Sequence, residues 1–380
     1  MIPSPIPASP ILDAPRAGRH DTLPTRSVIW GPGCRSSLPE ELARLGAKRA
    51  FLLTTASLTR QGEHVRGLQR ILGDRFAGML DDLPAHVPVS ALDAAQLMVA
   101  QTGADVLIAF GGGSVIDAAK ALAARIAQNS GTAPDIIAMP TTLSGAEFAH
   151  VYGVLEQGDR GPYKRAYADP VVTPRLIFLD PELTLSTPDT LWFSSGIKAL
   201  DHAIEGILLP GDRPITDLVA FEGIARMAAA LRSPRPRDIA VRLEAQLAAW
   251  MCYFAPATIR VALSHRIGYV LGGSYGIAHS VTSGITLAPV LRAFARTEPA
   301  KVARISAVLA PGQDQPEAAA EVVEGLVRNL DLPYRLRDVG IDQALAPGIA
   351  ALVRHHFPDD CARLDGLGPE FFEELIRSLW

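Results

Sequence analysis

Cysteine is scarce. The chain has three, Cys34, Cys252 and Cys361, with no CxxC spacing, which excludes a disulfide framework or a cysteine-rich zinc site and suits a reducing cytoplasm. Long apolar runs are missing too. None reaches the roughly 20 residues of a membrane-spanning helix, and the N-terminus lacks the basic-then-apolar order of a signal peptide, so no membrane partner is expected. The formal net charge is -4 and there is no long basic run, so no nucleic-acid partner is expected. Lysine is rare: 31 of the 36 basic residues are Arg. A Lys inside an apolar helix therefore stands out.

A chain of 380 residues with 48% hydrophobic and 20% charged residues is long enough for two domains with large cores. Residues 1–25 are Pro-rich and aperiodic and read as a flexible tail or a strap on a partner subunit. Residues 26–187 read as an α/β domain. The runs at 27–33, 49–55, 105–110 and 135–140 have the continuous apolar character of strands buried in a parallel sheet. Helical stretches at 38–45, 65–72 and 91–101 alternate with them, which argues for an open α/β sheet. Residues 188–380 change character. Stretches at 191–209, 216–232, 238–255, 258–272, 279–294, 298–309, 315–330 and 370–380 carry helical spacing without a convincing strand, so this half reads as all-helical.

Three motifs carry chemistry. The first is GGGSVIDAAK, residues 111–120, which follows a strand and opens an Ala-rich helix. Gly111, Gly112 and Gly113 let a ligand approach the backbone, Ser114 is placed to cap the helix, and the free N–H groups of the helix start suit a pyrophosphate. Asp117, one turn in, is a further cap or a contact to ribose or amide. The alternative is a tight βα turn without a ligand. The second is MPTTLSGAE, residues 139–147, with hydroxyls at Thr141, Thr142 and Ser144. It also follows a strand, which puts both loops at the carboxyl edge of the sheet, where such sheets bind ligands. His150 follows closely. The third is a set drawn from GIKALDHAIE (196–205) and LSHRIGYVLGGSYGIAHS (263–280). Lys198 and His202 are four apart and share a helical face, as do His265 and Tyr269. With His279, three imidazoles from separate segments suit a divalent metal.

In this order, these motifs resemble the iron-containing alcohol dehydrogenase family over roughly residues 27–292. Within it, the short PTTLSGAE loop, RGPYKRAYADPVVTPRLIFLDP and the HxxxxVLGG segment are most similar to the maleylacetate reductases. The resemblance implies an N-terminal NAD(P)-binding domain, a helical catalytic domain and the cofactor in the cleft between them. It implies NAD(P)H as cofactor, hydride transfer to a carbonyl or a conjugated C=C, and homodimers. It also implies Fe(II) or Zn(II) held by Asp-x-x-x-His and two further His. His202, His265 and His279 match the imidazole ligands, but the family Asp falls on Lys198. Asp201 projects about 100° away from His202 and is no simple substitute. An ammonium beside a divalent cation is repulsive, so the usual metal is expected to be absent or weakly held. Lys198 would supply the positive charge beside the substrate oxygen, with Tyr269 or His265 as proton donor. The ribose position of NAD-using members falls on Thr55, leaving NAD or NADP open. Lys164, with Tyr163 and Arg165, is a candidate contact for substrate carboxylates or a solvated basic loop. Two other readings remain: a metal-dependent alcohol dehydrogenase or aldehyde reductase, and an inactive nucleotide-binding partner subunit.

Overall fold

In a computed structural model of the chain, the described residues are 23–380 without 84–88, 159–160, 212, 255–261, 314 and 369; the side chains at 157, 158 and 161–164 also fall outside the description. The expected tail at 1–25 lies almost wholly outside the described residues. The chain forms two compact units. One holds Thr22–Pro188 with Arg235–Gln246, the other Asp189–Pro234 with Leu247–Trp380. Fully buried Arg242 ties the 235–246 segment into the first unit through bonds to the carbonyls of Pro236 (2.6 Å) and Thr184 (3.2 Å).

The first unit is built on β1 (Ser27–Trp30), β2 (Ala50–Leu53), β3 (Phe76–Leu80), β4 (Val106–Gly111), β5 (Asp135–Pro140), the pair β6 (Val151–Gly158) and β7 (Gly161–Ala168), and β8 (Leu176–Leu179). Six strands form one sheet in the order β1-β8-β5-β4-β2-β3, all neighbours parallel. Every residue of β2, β4 and β8 is buried, because helices cover both faces of a parallel sheet. The connecting helices are α1 (Leu38–Leu45), α2 (Ala56–Gln61), α3 (Glu63–Leu72), α4 (Val89–Thr102) and α5 (Gly113–Ser130). Leu38, Leu42, Val65 and Leu68 pack on Leu52, Ile108, Phe110 and Phe178. Each such side chain contributes about 1.5–3 kcal/mol of burial.

The 163–165 segment differs from the loop reading. It belongs to β7, which pairs antiparallel with β6 in a separate two-stranded ribbon. Lys164 sits there, with its side chain outside the described residues. Arg165 is exposed, packs over the Tyr167 ring at 5.1 Å and lies 3.6 Å from Glu156.

The second unit is helical throughout its described residues. In order come α6 (Asp189–Leu208), α7 (Pro214–Leu231), α8 (Ile239–Tyr253, whose first half is grouped with the sheet), α9 (Leu263–Tyr275), α10 (His279–Thr297), α11 (Pro299–Leu309), α12 (Pro316–Asn329), α13 (Ala346–His356), α14 (Pro358–Ala362) and α15 (Phe371–Ser378). No helix among the described residues is long and apolar enough to cross a membrane. Gly196 through Leu208 of α6 is buried without interruption, so this helix runs through the middle of the unit.

Candidate active site

At the carboxyl edge of the sheet, β4 and β5 are neighbours, with Phe110 opposite Met139 and Gly111 opposite Pro140. The two loops that follow them touch. Thr141 N–H donates to Gly111 O at 3.0 Å. A Cβ at Gly112 would lie 3.1 Å from Thr142 Cγ2, and one at Gly113 would lie 2.9 Å from Ser144 Oγ. Gly111 has φ +157, and its missing Cβ would meet Val115 at 2.6 Å. Only glycine lets this turn form and the second loop close on it. The first turn of α5 has no side-chain cap: Gly112 is the N-cap. Ser114, expected to cap, is exposed instead, because its position already lies inside the helix. Its hydroxyl and the uncapped N–H groups of an 18-residue helix together offer donors for an anion.

Asp117 turns away from that end and accepts from Gly153 N–H at 3.2 Å, tying α5 to β6. Thr55 caps α2, its Oγ1 accepting from Leu58 N–H and lying 2.9 Å from Ser57 Oγ. His150 is half-buried at the start of β6, its carbonyl accepting from Asp169 N–H.

Two charged residues inside the quoted motifs were not singled out by the sequence. Lys120 is fully buried and donates to the carbonyls of Ala146 (2.5 Å) and Val151 (3.1 Å). Burial lowers its pKa to about 8. Glu147, also buried, is pushed up to about 7 by burial, against the opposing pull of Lys120. Lys120 thus anchors the 141–147 loop to α5.

In the helical unit, α6 presents Lys198, Asp201, His202 and Glu205, all at least nine-tenths buried. Helix α9 brings His265, and α10 brings His279 and Ser283. Gly268 allows α9 and α10 to approach, since a Cβ there would lie 2.8 Å from Thr282 Oγ1. The rings form a ladder. Tyr253 meets His202 edge-on at 4.6 Å, His202 stacks on His265 at 4.6 Å, His265 lies 6.3 Å from His279, and His279 stacks on Tyr269 at 5.5 Å. The ladder runs from buried His202 to half-buried His279 and to Tyr269, which is 37% exposed. The structure thus brings Lys198, His202, His265, Tyr269 and His279 into one region.

Beside the rings lie two buried acids: Asp201, which the sequence reading set aside as a substitute ligand, and Glu205, which it passed over. His265 Nδ1 is 2.6 Å from Glu205 Oε2 and 3.3 Å from Asp201 Oδ2. Asp201 accepts from Ser264 Oγ (3.0 Å) and Ser283 Oγ (2.5 Å). Glu205 accepts backbone N–H groups from Ala262 and Ser264. Burial raises the pKa of Asp201, and that of Glu205 to about 7. Burial lowers His202 well below the usual imidazole range, helped by His265 and Lys198, and takes His265 down to about 3. Burial thus favours the neutral form of both rings. The available signal was the spacing: Asp201 and Glu205 are four apart in an otherwise apolar helix and share a face.

The motif order, the glycine turn and this ring cluster agree with sequence comparison. Residues 24–181 match the model for iron-containing alcohol dehydrogenase, and residues 192–365 match the model for the C-terminal region of that family. The chain belongs to the iron-containing alcohol dehydrogenase family. It is an NAD(P)-dependent oxidoreductase. It is 32% identical to maleylacetate reductase 1 of Cupriavidus pinatubonensis over 335 residues, covering 87% of this chain and 90% of that one. It is 34% identical to the maleylacetate reductase of Pseudomonas aeruginosa over 326 residues, 85% and 87% of the two chains. Among solved structures, a putative alcohol dehydrogenase from Ralstonia eutropha superposes with a TM-score of 0.84 at 31% identity, covering 97% of this chain and 98% of the other. Maleylacetate reductase from Agrobacterium tumefaciens gives 0.82 at 27%, with 96% and 97% covered.

The two groups the family implies fare differently here. The glycine turn, where any Cβ would collide, and the donors of α5 suit the cofactor pyrophosphate. The family metal set does not fit. Lys198 stands at the position of the aspartate ligand, 96% buried, and its charge is felt by Asp201, His202, Glu205 and His265. Among the described residues, the His, Cys, Asp and Glu ligand atoms that gather within 4.8 Å as a group of three or more are those of Asp201, Glu205 and His265. These atoms already bond to one another and to nearby donors, so the group is a hydrogen-bonded network.

Proposed function

We propose that the chain reduces the carbonyl, or a C=C conjugated with it, of a small carboxylated substrate, and that Lys198 acts where relatives place a metal-ligating carboxylate. The observation that carries this is the buried Lys198, one helical turn before His202 and beside the imidazole ladder. NAD(P)H supplies a hydride. Reduction of a carbonyl puts that hydride on carbon, so negative charge develops on oxygen. Lys198 holds that charge in a site closed to water, where a fixed cation is worth far more than in solution. The proton reaching the oxygen, or the α-carbon of a conjugated C=C, comes from Tyr269 or one of the imidazoles. The substrate class is supported by the maleylacetate reductase relatives.

A metal-dependent aldehyde reductase is the second reading. It is favoured by His202 Nδ1 and His265 Nε2, which are buried without a hydrogen-bond partner. Metal content of protein purified without chelators, paired with NADH and NADPH oxidation against maleylacetate and a panel of simple aldehydes, separates the two. The Lys198 reading expects turnover without stoichiometric metal, lost in Lys198→Ala. One tightly bound metal per chain would overturn it.

A further inference from the structure

Helix α9 starts without a cap of its own. Its N-cap is Ala262, which offers no side-chain acceptor, and the first turn contains no acidic residue. The cap comes from another helix. Glu205 of α6 accepts Ala262 N–H at 3.0 Å, Ser264 N–H at 2.5 Å and His265 N–H at 3.4 Å. The same carboxylate, through Oε2, meets His265 Nδ1 at 2.6 Å. One side chain therefore sets where α9 begins and which ring nitrogen of His265 is engaged. Asp201 Oδ2 reinforces the second role at 3.3 Å from the same nitrogen. The other nitrogen, Nε2, is buried with no partner.

We propose that Glu205 is a positioning residue that fixes His265 as the Nδ1–H tautomer. Both Glu205 oxygens already face backbone N–H donors, and Oε2 meets Nδ1 at 2.6 Å, so the geometry makes Glu205 the acceptor of this pair and puts its proton on the ring. Nε2 is then a bare lone pair. Under the proposed function, on which this inference rests for its kinetic part, His265 receives a hydrogen bond from substrate or water and does not donate. Between Tyr269 and His265, the two donors weighed from the sequence, that favours Tyr269, two steps along the ladder and partly open to solvent, as the group that delivers the proton.

The test separates the tautomer from the activity. Nitrogen-15 imidazole spectra of the full-length wild type, with His265→Asn to assign the resonances, report which nitrogen is protonated whether or not any substrate turns over. The expected result is an unprotonated Nε2 and a protonated Nδ1; the reverse in the wild type overturns the proposal outright, even if Glu205→Gln fails to fold. Glu205→Gln keeps an acceptor oxygen for the backbone cap but turns an N–H toward His265, so the ring should flip to the Nε2–H tautomer. Its kcat should fall on the order of 100-fold or more, with KM for NAD(P)H within about threefold, as when a ring is held in the wrong tautomer. A Glu205→Gln enzyme that keeps the wild-type tautomer, or flips it and keeps wild-type kcat, refutes the positioning role. Absence of turnover in the wild type with every carbonyl offered would refute the proposed function and leave the tautomer result standing.

Discussion

Lys120→Met is the sharpest test of how the cofactor loops are held. Methionine keeps the length of the side chain and removes the ammonium. Two charge-assisted bonds, to Ala146 O and Val151 O, disappear, and Glu147 loses its nearest opposing charge. Each charged hydrogen bond contributes about 1.5–3 kcal/mol, and removing one member of a buried charged set typically costs about 3–5 kcal/mol. Against this stands the burial of the ammonium, which already lowers its pKa to about 8 and whose relief the variant enjoys. A net loss of about 2–4 kcal/mol is the result. With two units, unfolding need not be two-state, so the assay should be local: urea titration combined with hydrogen exchange in peptides covering 113–130 and 141–153. Exchange there should accelerate by at least about tenfold per 1.4 kcal/mol lost. KM for NAD(P)H should rise if the start of this helix holds the pyrophosphate, because the 141–147 loop is no longer pinned to it. Adding Glu147→Gln should recover part of the stability, since it removes the stranded carboxylate. Unchanged exchange in both peptides with an unchanged KM would refute the anchoring role.

Glu147→Gln alone carries a pH signature. Burial raises the folded pKa of Glu147 from 4.5 to about 7, so the folded state holds a proton that the unfolded state releases, and the wild type loses stability as pH rises from 4.5 through 7. The variant should gain on the wild type by about 2–3 kcal/mol across that window; parallel stability–pH curves would contradict the burial argument. Gly113→Ala places a Cβ 2.9 Å from Ser144 Oγ and should raise KM for NAD(P)H about tenfold, an overpacking cost of about 1–3 kcal/mol, with relief in the Ser144→Gly background; steady-state kinetics with both cofactors measures it. Lys198→Asp restores the carboxylate that the family carries and should let the protein take up about one zinc or iron per chain, with thermal stability that falls on chelation. Elemental analysis showing no uptake would mean that the imidazoles cannot converge on an ion even when the cation is gone.

The sheet was legible where burial is two-sided. Phe51 to Leu53, Leu107 to Phe110 and Ile136 to Met139 are unbroken apolar runs because both of their faces are covered. Edge strand β1 was also read, through the run at 27–33, whereas inner strand β8 was not, because its four buried residues Leu176–Leu179 form too short a run between Arg175 and Asp180 to stand out, and edge strand β3 was missed as well. β3 contains Gly78, every residue in it is only half-buried, and a Cβ at Gly78 would press on the Phe51 ring at 3.1 Å; the glycine serves packing and erases the alternation. The β6–β7 ribbon carries Glu156, Lys164 and Arg165, so its charge reads as a solvated loop although its backbone pairs over eight positions. The site followed a similar rule. Histidines and glycines in known motifs announce themselves. Lys120, Asp201 and Glu205 do not, because a charged residue in a helical pattern is by default a surface residue, nor does Glu147 in its loop, and only tertiary packing shows that these four are buried.

Lys198 did stand out in the sequence, and its charge bears on two members of that second group. Two carboxyls buried on one helix face, Asp201 and Glu205, are costly when ionised, as their raised pKa values record. Lys198 opposes that cost at both, and it pushes the neighbouring imidazoles the other way, toward neutrality. The charge that would repel a divalent ion is therefore also a charge that eases ionisation of the two acids beside His265. A carboxylate at 198 would reverse both effects at once: three acids on one face would demand a cation from outside. One residue thus sets the sign of the whole site. Under the proposed function, chemistry at the substrate oxygen and stability of the buried acids are then coupled through the same side chain, so a neutral isostere at 198 cannot remove one without weakening the other.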